Sequence, residues 1–330
     1  MVRVLVIGTG SIGERHLRCL LNTHRVEAGI CEVNDAIRQR IARQYQVIES
    51  VATVEAAMQA RWDAAVVATP AQLHVPISQQ LAEAGIHLLI EKPLSANLDG
   101  IAALMETVRT RKLTVAVAYV YRAHPVLAAM KQALDSGRFG RPLQLTALCG
   151  QDFAFYRPAY RQIYYARRST GGGAIQDALT HIVNAGEWLV GPIDHIAADA
   201  AHRRMADVEV EDTVHAIVRH GSVLGSYALN QYQSPTEVTI TVVCEKGTAR
   251  FELHECRWRW MTQTDGPWHD EPAAPLERDD WFIRQEQAFL DAMEGKAAPL
   301  CTLAEGLQTL KVNLAALASA DTGGGMRPVE

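Results

Sequence analysis

Asp177 and His181 stand four residues apart, just after the triplet Gly171-Gly172-Gly173. On an α-helix four residues turn about 400°, which leaves the two side chains about 40° apart around the axis. A carboxylate beside an imidazole fixes its tautomer and stabilises its protonated form, which suits a general base taking an alcohol proton. Asn184 extends the same helix face. The spacing equally suits a surface pair worth a few tenths of a kcal/mol, so by itself it leaves both readings open. Lys92 follows the apolar run Leu88-Leu89-Ile90 and Glu91. At a strand end its ammonium can hydrogen-bond a reacting oxygen and stabilise developing negative charge, the alternative being a loop lysine facing water.

A second group of residues carries no proton chemistry but has a recognisable geometry. Gly8-Thr9-Gly10-Ser11-Ile12-Gly13 fits G-x-G-x-x-G, follows an expected strand of six residues and opens an amphipathic stretch. In that context Gly8 permits a tight turn, Gly10 admits a pyrophosphate to the backbone, and Gly13 lets helix and strand pack closely. The N–H groups from Ser11 and Ile12 onward face the phosphates. Glu32 lies about 20 residues on, where a carboxylate accepts hydrogen bonds from ribose hydroxyls. Val33, Asn34 and Asp35 follow, and the first cation is Arg38. A 2′-phosphate would meet carboxylates there, so the expected cofactor is NAD rather than NADP.

The elements that must position these groups follow from hydrophobic rhythm. Val2–Ile7, Val26–Cys31, Ala64–Ala68, His87–Ile90 and Thr114–Tyr119 read as buried parallel strands. Helical stretches alternate with them at Ser11–Leu21, Asp35–Tyr45, Val54–Gln59, Gln72–Ala84 and Asn97–Arg111. The rhythm predicts an α/β chain: a Rossmann doubly wound parallel sheet over residues 1–122, then a C-terminal α+β domain with an open, mostly antiparallel sheet over 123–330. In the second part helices are expected at Pro125–Ser136 and from the glycine triplet to Trp188. Strands are expected at Val214–Arg219, Val223–Leu229, Val238–Cys244 and Ala249–Leu253, and closing helices at Trp281–Glu294 and Thr302–Ala320. Pro267 to Asp280 reads as an exposed loop and Gly323-Gly324-Gly325 as a loose tail.

Composition narrows the partners. The 330 residues are 48% hydrophobic and 21% charged with a net charge of −5, a balance that argues against nucleic acid as the main partner. Six scattered cysteines, Cys19, Cys31, Cys149, Cys244, Cys256 and Cys301, form no C-x-x-C pair and suit neither a zinc site nor a disulfide framework. No metal is expected. No apolar run reaches the length of a membrane span and the first strand begins at Val2, so a cytoplasmic protein is expected.

Behind the glycine turn come Ala68-Thr69-Pro70 with His74, Glu91-Lys92-Pro93, Tyr119-Val120-Tyr121-Arg122-Ala123-His124-Pro125, and the glycine triplet with Asp177-x-x-x-His181. In this order they resemble the glucose–fructose oxidoreductase / inositol dehydrogenase / rhizopine catabolism family over nearly the whole chain. The resemblance implies sugars, polyols or their derivatives as substrates, and homodimers or homotetramers assembled through the C-terminal sheet. It implies that Lys92 is the catalytic lysine, that Asp177 and His181 are the acid–base pair, and that Thr69, Pro70, His74, Glu91 and Arg122 join Lys92 on the cofactor. The chain departs from common family forms at Val120, often an amide residue, and at Asn184, often Asp. The Tyr119–Pro125 segment and Gln151 to Arg168 resemble a subgroup associated with bacterial surface-sugar biosynthesis.

Residues 157–168 are rich in Arg and Tyr. They either bind a substrate carboxylate or phosphate, with Arg157 and Tyr160 as contacts, or pack as an interface loop through cation–π contacts. The expected activity is hydride transfer between nicotinamide and a hydroxyl carbon of a sugar or cyclic polyol. An NAD-retaining epimerase or glycoside-cleaving enzyme is the alternative, distinguished by NADH release. A non-catalytic NAD- or sugar-sensing protein is a third, against which the joint presence of Lys92, Asp177 and His181 speaks.

Overall fold

The computed structural model describes residues 1–330 as two compact units, Met1–Ala123 with Glu277–Leu307, and His124–Leu276 with Gln308–Glu330. The sequence reading places all of 123–330 in the second domain, whereas the chain returns at Glu277–Leu307 to the first unit.

The first unit alternates β1 (Val2–Ile7), α1 (Ser11–Asn22), β2 (Val26–Cys31), α2 (Asp35–Gln44), β3 (Glu49–Val51), α3 (Val54–Ala57), β4 (Ala64–Val67), α4 (His74–Glu83), β5 (His87–Ile90), α5 (Ile101–Arg111) and β6 (Val115–Val117). All six strands run parallel in the order β3-β2-β1-β4-β5-β6. Every residue of β4 is buried, because helices on both faces leave such a strand no solvent side. Strand order reverses between β1 and β4, the switch point where open α/β sheets bind ligands. The Asn34 side chain starts α2 by accepting from the Ile37 N–H at 3.1 Å, an ordinary N-cap.

The second unit begins with α6 (Pro125–Asp135), β7 (Pro142–Asp152) and the short α7 (Phe153–Tyr156). Three 3₁₀ turns follow within residues 160–170, and a π-helical turn over Ile175–Leu179 leads into α8 (Thr180–Val190). Then come β8 (His195–Ala201), β9 (Thr213–His220), β10 (Val223–Asn230), β11 (Tyr232–Cys244), β12 (Gly247–Glu252), β13 (Arg257–Met261) and β14 (His269–Pro272). Helix α9 (Arg278–Met293) belongs to the first unit, α10 (Leu303–Asp321) begins there, and β15 (Arg327–Pro328) ends the chain. The sheet has nine strands, β14-β13-β12-β11-β7-β10-β9-β8-β15. Its pairs are antiparallel except β7 with β10. Along β9 buried and exposed residues alternate, as expected of a sheet with one covered and one open face.

Several elements differ from the sequence reading. Strands β7 and β8 carry small inward residues, Ala147 and Cys149 in one and Ala198 in the other, which give a weak period-two signal. The exposed loop expected at 267–280 contains β14, exposed throughout but paired with β13. The tail expected after Gly323 is anchored, since β15 pairs with β8 and Ser319 Oγ donates to the Gly325 carbonyl at 2.7 Å. No helix is long and apolar enough to cross a membrane.

Candidate active site

The β1–α1 turn is shaped by two contacts that exclude side chains. Gly8 has φ +80°, and a Cβ there would lie 2.8 Å from the Ala68 carbonyl oxygen. A Cβ on Gly13 would lie 1.8 Å from the Gly8 oxygen, so α1 reaches the sheet because both positions are glycine. A Cβ on Gly10 would meet nothing within 4 Å. The turn therefore opens onto free space in front of the first N–H groups of α1, at Ser11 and Ile12, which have no intrahelical acceptor. Across the switch point the Thr69 hydroxyl is buried without a hydrogen-bond partner. An open glycine cradle and an orphaned hydroxyl at the ends of β1 and β4 fit a bound dinucleotide.

Glu32 ends β2 nearly buried. It accepts from the Thr9 N–H at 2.7 Å through one oxygen and from the Asn34 N–H at 2.9 Å through the other. Arg38 lies closer than the sequence spacing suggests. It donates to the Glu32 carbonyl at 2.9 Å, and its other nitrogen pairs with Asp35. A cation thus stands beside the ribose position, already engaged by a carboxylate.

At the end of β5 two side chains expected to line the cofactor, His74 and Glu91, hold neighbouring segments together. His74 is buried, with one ring nitrogen 3.0 Å from the Pro93 carbonyl and the other 2.7 Å from that of Thr69. Burial pushes its pKa down. It joins the segment Thr69-Pro70 to the segment Glu91-Lys92-Pro93. Glu91 is 5% exposed, with one oxygen 2.8 Å from His16 Nε2 and the other accepting from the Lys92 N–H at 3.0 Å. The opposite nitrogen of His16 lies 2.6 Å from Glu286 on α9. Burial opposes charge on His16, but the two carboxylates outweigh it and push the pKa up to about 10. Arg122, expected on the cofactor, is buried and donates to the Leu300 carbonyl at 2.9 Å and to Glu305 at 2.5 Å. It ties the start of α10 to the first unit.

In the second unit Asp177 lies on the π turn and is 7% exposed. A π turn closes with i→i+5 bonds, so the α-helical angle expected between Asp177 and His181 does not apply. Such single turns recur at functional sites. The Tyr164 hydroxyl donates to Asp177 Oδ1 at 2.6 Å. Sequence reasoning missed this partner and singled out Tyr160, which is buried with its hydroxyl on the Ala206 carbonyl at 3.0 Å. Arg157 is half-buried and donates to the Tyr156 carbonyl at 3.4 Å. Asn184, expected to extend the catalytic face, is buried and donates to Thr309 on α10 at 2.9 Å. His181 is half-buried.

His16 and Glu286 were also missed. Both were detectable as polar residues on otherwise buried helix faces, His16 among Gly13, Leu17 and Leu20, and Glu286 among Phe282, Phe289 and Leu290.

Comparison with known proteins gives concordant matches. Residues 2–119 match the model of an oxidoreductase family with an NAD-binding Rossmann fold, and residues 127–250 match the GFO/IDH/MocA C-terminal domain. Inositol 2-dehydrogenase of Rhizobium meliloti is 25% identical over 97% of this chain and 95% of its own length. Levoglucosan dehydrogenase of Pseudarthrobacter phenanthrenivorans is 30% identical, over 40% of this chain and 34% of its own. Among solved structures, levoglucosan dehydrogenase in complex with NADH and levoglucosan has a TM-score of 0.90 at 21% identity over 99% of both chains. The WlbA dehydrogenase from Bordetella pertussis, in complex with NADH and UDP-GlcNAcA, has a TM-score of 0.82 at 25% identity, covering 99% of this chain and 97% of that one.

Proposed function

Since the chain belongs to the GFO/IDH/MocA oxidoreductase family with its NAD-binding Rossmann fold, we propose that it oxidises a secondary hydroxyl of a sugar, cyclic polyol or sugar derivative. The observation that carries the reading is the nearly buried Asp177 carboxylate, set on a π turn one turn ahead of His181 and hydrogen-bonded by a tyrosine.

When bound, NAD supplies the two-electron acceptor for the hydrogen leaving the hydroxyl carbon. Gly8, Gly10 and Gly13 admit its pyrophosphate to the start of α1, Glu32 takes the adenosine ribose, and Thr69 lies toward the nicotinamide side. His181 takes the hydroxyl proton, and Asp177 holds the imidazole in the tautomer that can accept it. The Lys92 ammonium is the group that would hydrogen-bond a reacting oxygen and stabilise negative charge developing on it. Glu91 and His74 act behind Lys92, fixing the backbone from which it projects.

The breadth of the substrate class is supported by relatives named for inositol, levoglucosan and xylose. The same reading includes a homo-oligomer joined through the open sheet face. It also includes a reducing, cytoplasmic setting, supported by six free cysteines, five of them buried.

The test is NADH formation over a panel of sugars, cyclic polyols, sugar acids and nucleotide sugars. With the substrate so found, His181→Ala and Lys92→Met are each expected to lower kcat by ~10²–10³ while NAD affinity stays within a few-fold. Wild-type turnover in His181→Ala would remove it as the base. Loss of NAD binding in Lys92→Met with normal turnover at saturating NAD would move Lys92 to the cofactor.

A further inference from the structure

Tyr164 sits in a run of tyrosines whose neighbours are occupied elsewhere. Tyr160 donates to the Ala206 carbonyl, and the fully buried Tyr165 donates to Gln231. Tyr164 is 39% exposed, yet its hydroxyl is directed at a nearly buried carboxylate, Asp177, at 2.6 Å.

The backbone makes this contact a fixed feature. Thr170 Oγ1 donates to the Tyr164 carbonyl at 2.6 Å, and the N–H groups of Gly172 and Gly173 donate to the carbonyls of Arg167 at 2.9 Å and Tyr165 at 3.2 Å. A Cβ on Gly172 would lie 2.1 Å from the Tyr165 oxygen. The glycine triplet therefore lets residues 164–167 lie directly against the chain that enters the π turn. A side chain there would push Tyr164 away from Asp177.

The charged surroundings give the hydroxyl a task. Burial, then Asp177, Glu211 and Asp212, push the Tyr165 phenol upward, so three carboxylates act on one small region. Glu211 is engaged by the Ile175 N–H at 3.0 Å and by Arg168 at 3.3 Å. Asp212 is engaged by the N–H groups of Arg203, Arg204 and Met205 and by Thr213. Asp177 receives the short bond from Tyr164, and an O–H donated to a carboxylate favours its ionised form.

We propose that Tyr164 is a positioning residue for the acid–base pair, its hydroxyl holding the Asp177 carboxylate ionised and in place so that His181 accepts the substrate proton near neutral pH. This rests on the reading of Asp177 and His181 as that pair. Without the phenol, Asp177 becomes a stronger base and holds a proton on the pair more tightly. The apparent value belongs to the pair rather than to either group.

The experiment compares Tyr164→Phe, Tyr164→Ala and Asp177→Asn with wild type, using the panel substrate and NAD. Tyr164→Phe is expected to move the acid limb of the kcat/KM profile up by about half to one unit and to lower kcat/KM at pH 7 about two- to fivefold. NAD affinity should stay within twofold and the melting temperature should be unchanged. NMR titration of the His181 ring should show the same upward shift without any substrate. Tyr164→Ala should resemble Tyr164→Phe. An unshifted profile and an unshifted His181 titration in Tyr164→Phe would overturn the proposal. So would wild-type behaviour of Tyr164→Phe beside an impaired Tyr164→Ala, which would assign the effect to the ring. Full turnover in Asp177→Asn would instead overturn the acid–base reading beneath it.

Discussion

At the end of β2 two opposite tendencies meet within seven residues. The Glu32 carboxylate is held on both oxygens by backbone N–H groups, so it cannot turn away from a ligand on the ribose side. Arg38 would welcome a 2′-phosphate, but its guanidinium is bonded to the Glu32 carbonyl and paired with Asp35. A phosphate there meets a fixed negative charge and a cation already satisfied. NAD is therefore expected to bind at least tenfold tighter than NADP, about 1.4 kcal/mol or more. Glu32→Gln combined with Asp35→Asn, which removes the charge and releases Arg38, should narrow that ratio several-fold. Calorimetric titration of both cofactors decides it, and equal or reversed wild-type affinities would sink the assignment. The glycine turn at Gly8, Gly10 and Gly13 was legible in the sequence because its geometry belongs to one strand–turn–helix unit, and Glu32 because it directly follows the next apolar strand. Tyr164 was not, because which tyrosine of a dense run meets Asp177 depends on three successive 3₁₀ turns. Arg122 and His74 likewise have partners far away in sequence or on the backbone, and no motif discloses those.

Among elements, the least legible is the return of α9 to the first unit, since amphipathic periodicity shows that a helix buries a face but not against what. Here α9 meets α1 through Arg18 with Asp279 and the buried bridge from His16 to Glu286, and its C-terminal end meets the turn after α1 through Arg25 with Asp291 and Glu294. That bridge continues through Glu91 to the backbone of Lys92, so α1, α9 and the end of β5 share one imidazole. Burial alone would keep it neutral, but the carboxylates raise its pKa from 6.5 to about 10. Burial also pushes Glu286 upward. A folded-state pKa above the unfolded value means that the proton's contribution to stability is complete below about pH 6.5 and is lost as pH rises through about 10. The melting temperature should therefore fall between pH 7 and pH 10. His16→Gln should start lower, because two buried carboxylates lose their cation, and should fall less steeply over the same range. Parallel thermal melts at pH 7, 8.5 and 10 test this; equal slopes in the two proteins would show that His16 does not carry the effect. Four of the parallel strands, β1, β2, β4 and β5, were by contrast legible nearly residue for residue, since burial on both faces leaves continuous apolar runs; β6 is shorter than its apolar run, and the sequence reading missed β3, a three-residue edge strand that is nowhere fully buried.

For the molecule as a whole, the open face of the nine-stranded sheet sets the expectation about assembly. Across its middle the paired positions Ala197, Ile217, Ser226, Thr146 and Thr241 form a row of small or neutral side chains. Ile217 is 58% exposed, and Leu224 in the next row is 53% exposed. A row of uncharged, partly apolar side chains, flanked by the exposed Asp199 and Arg219, suits burial against a copy of itself, because a twofold axis sets the same patch against the same patch. The sheet edges are poor alternatives, as β15 has two residues and β14 four. Ile217→Lys tests the face without disturbing the covered side, since Ile217 projects away from the core. In a twofold assembly the substitution sets two desolvated ammonium groups near the axis, each without a counter-ion, at a cost of several kcal/mol. Light scattering should give wild type a mass two or four times the 36.3 kDa chain. The variant should run at the mass of one chain, or with a dissociation constant raised by at least ~10²-fold. Far-UV circular dichroism and NAD affinity should be preserved, showing that assembly alone was lost. A wild-type chain that is monomeric at tens of micromolar, or a variant that assembles as tightly as wild type, would show that this face is not where copies meet.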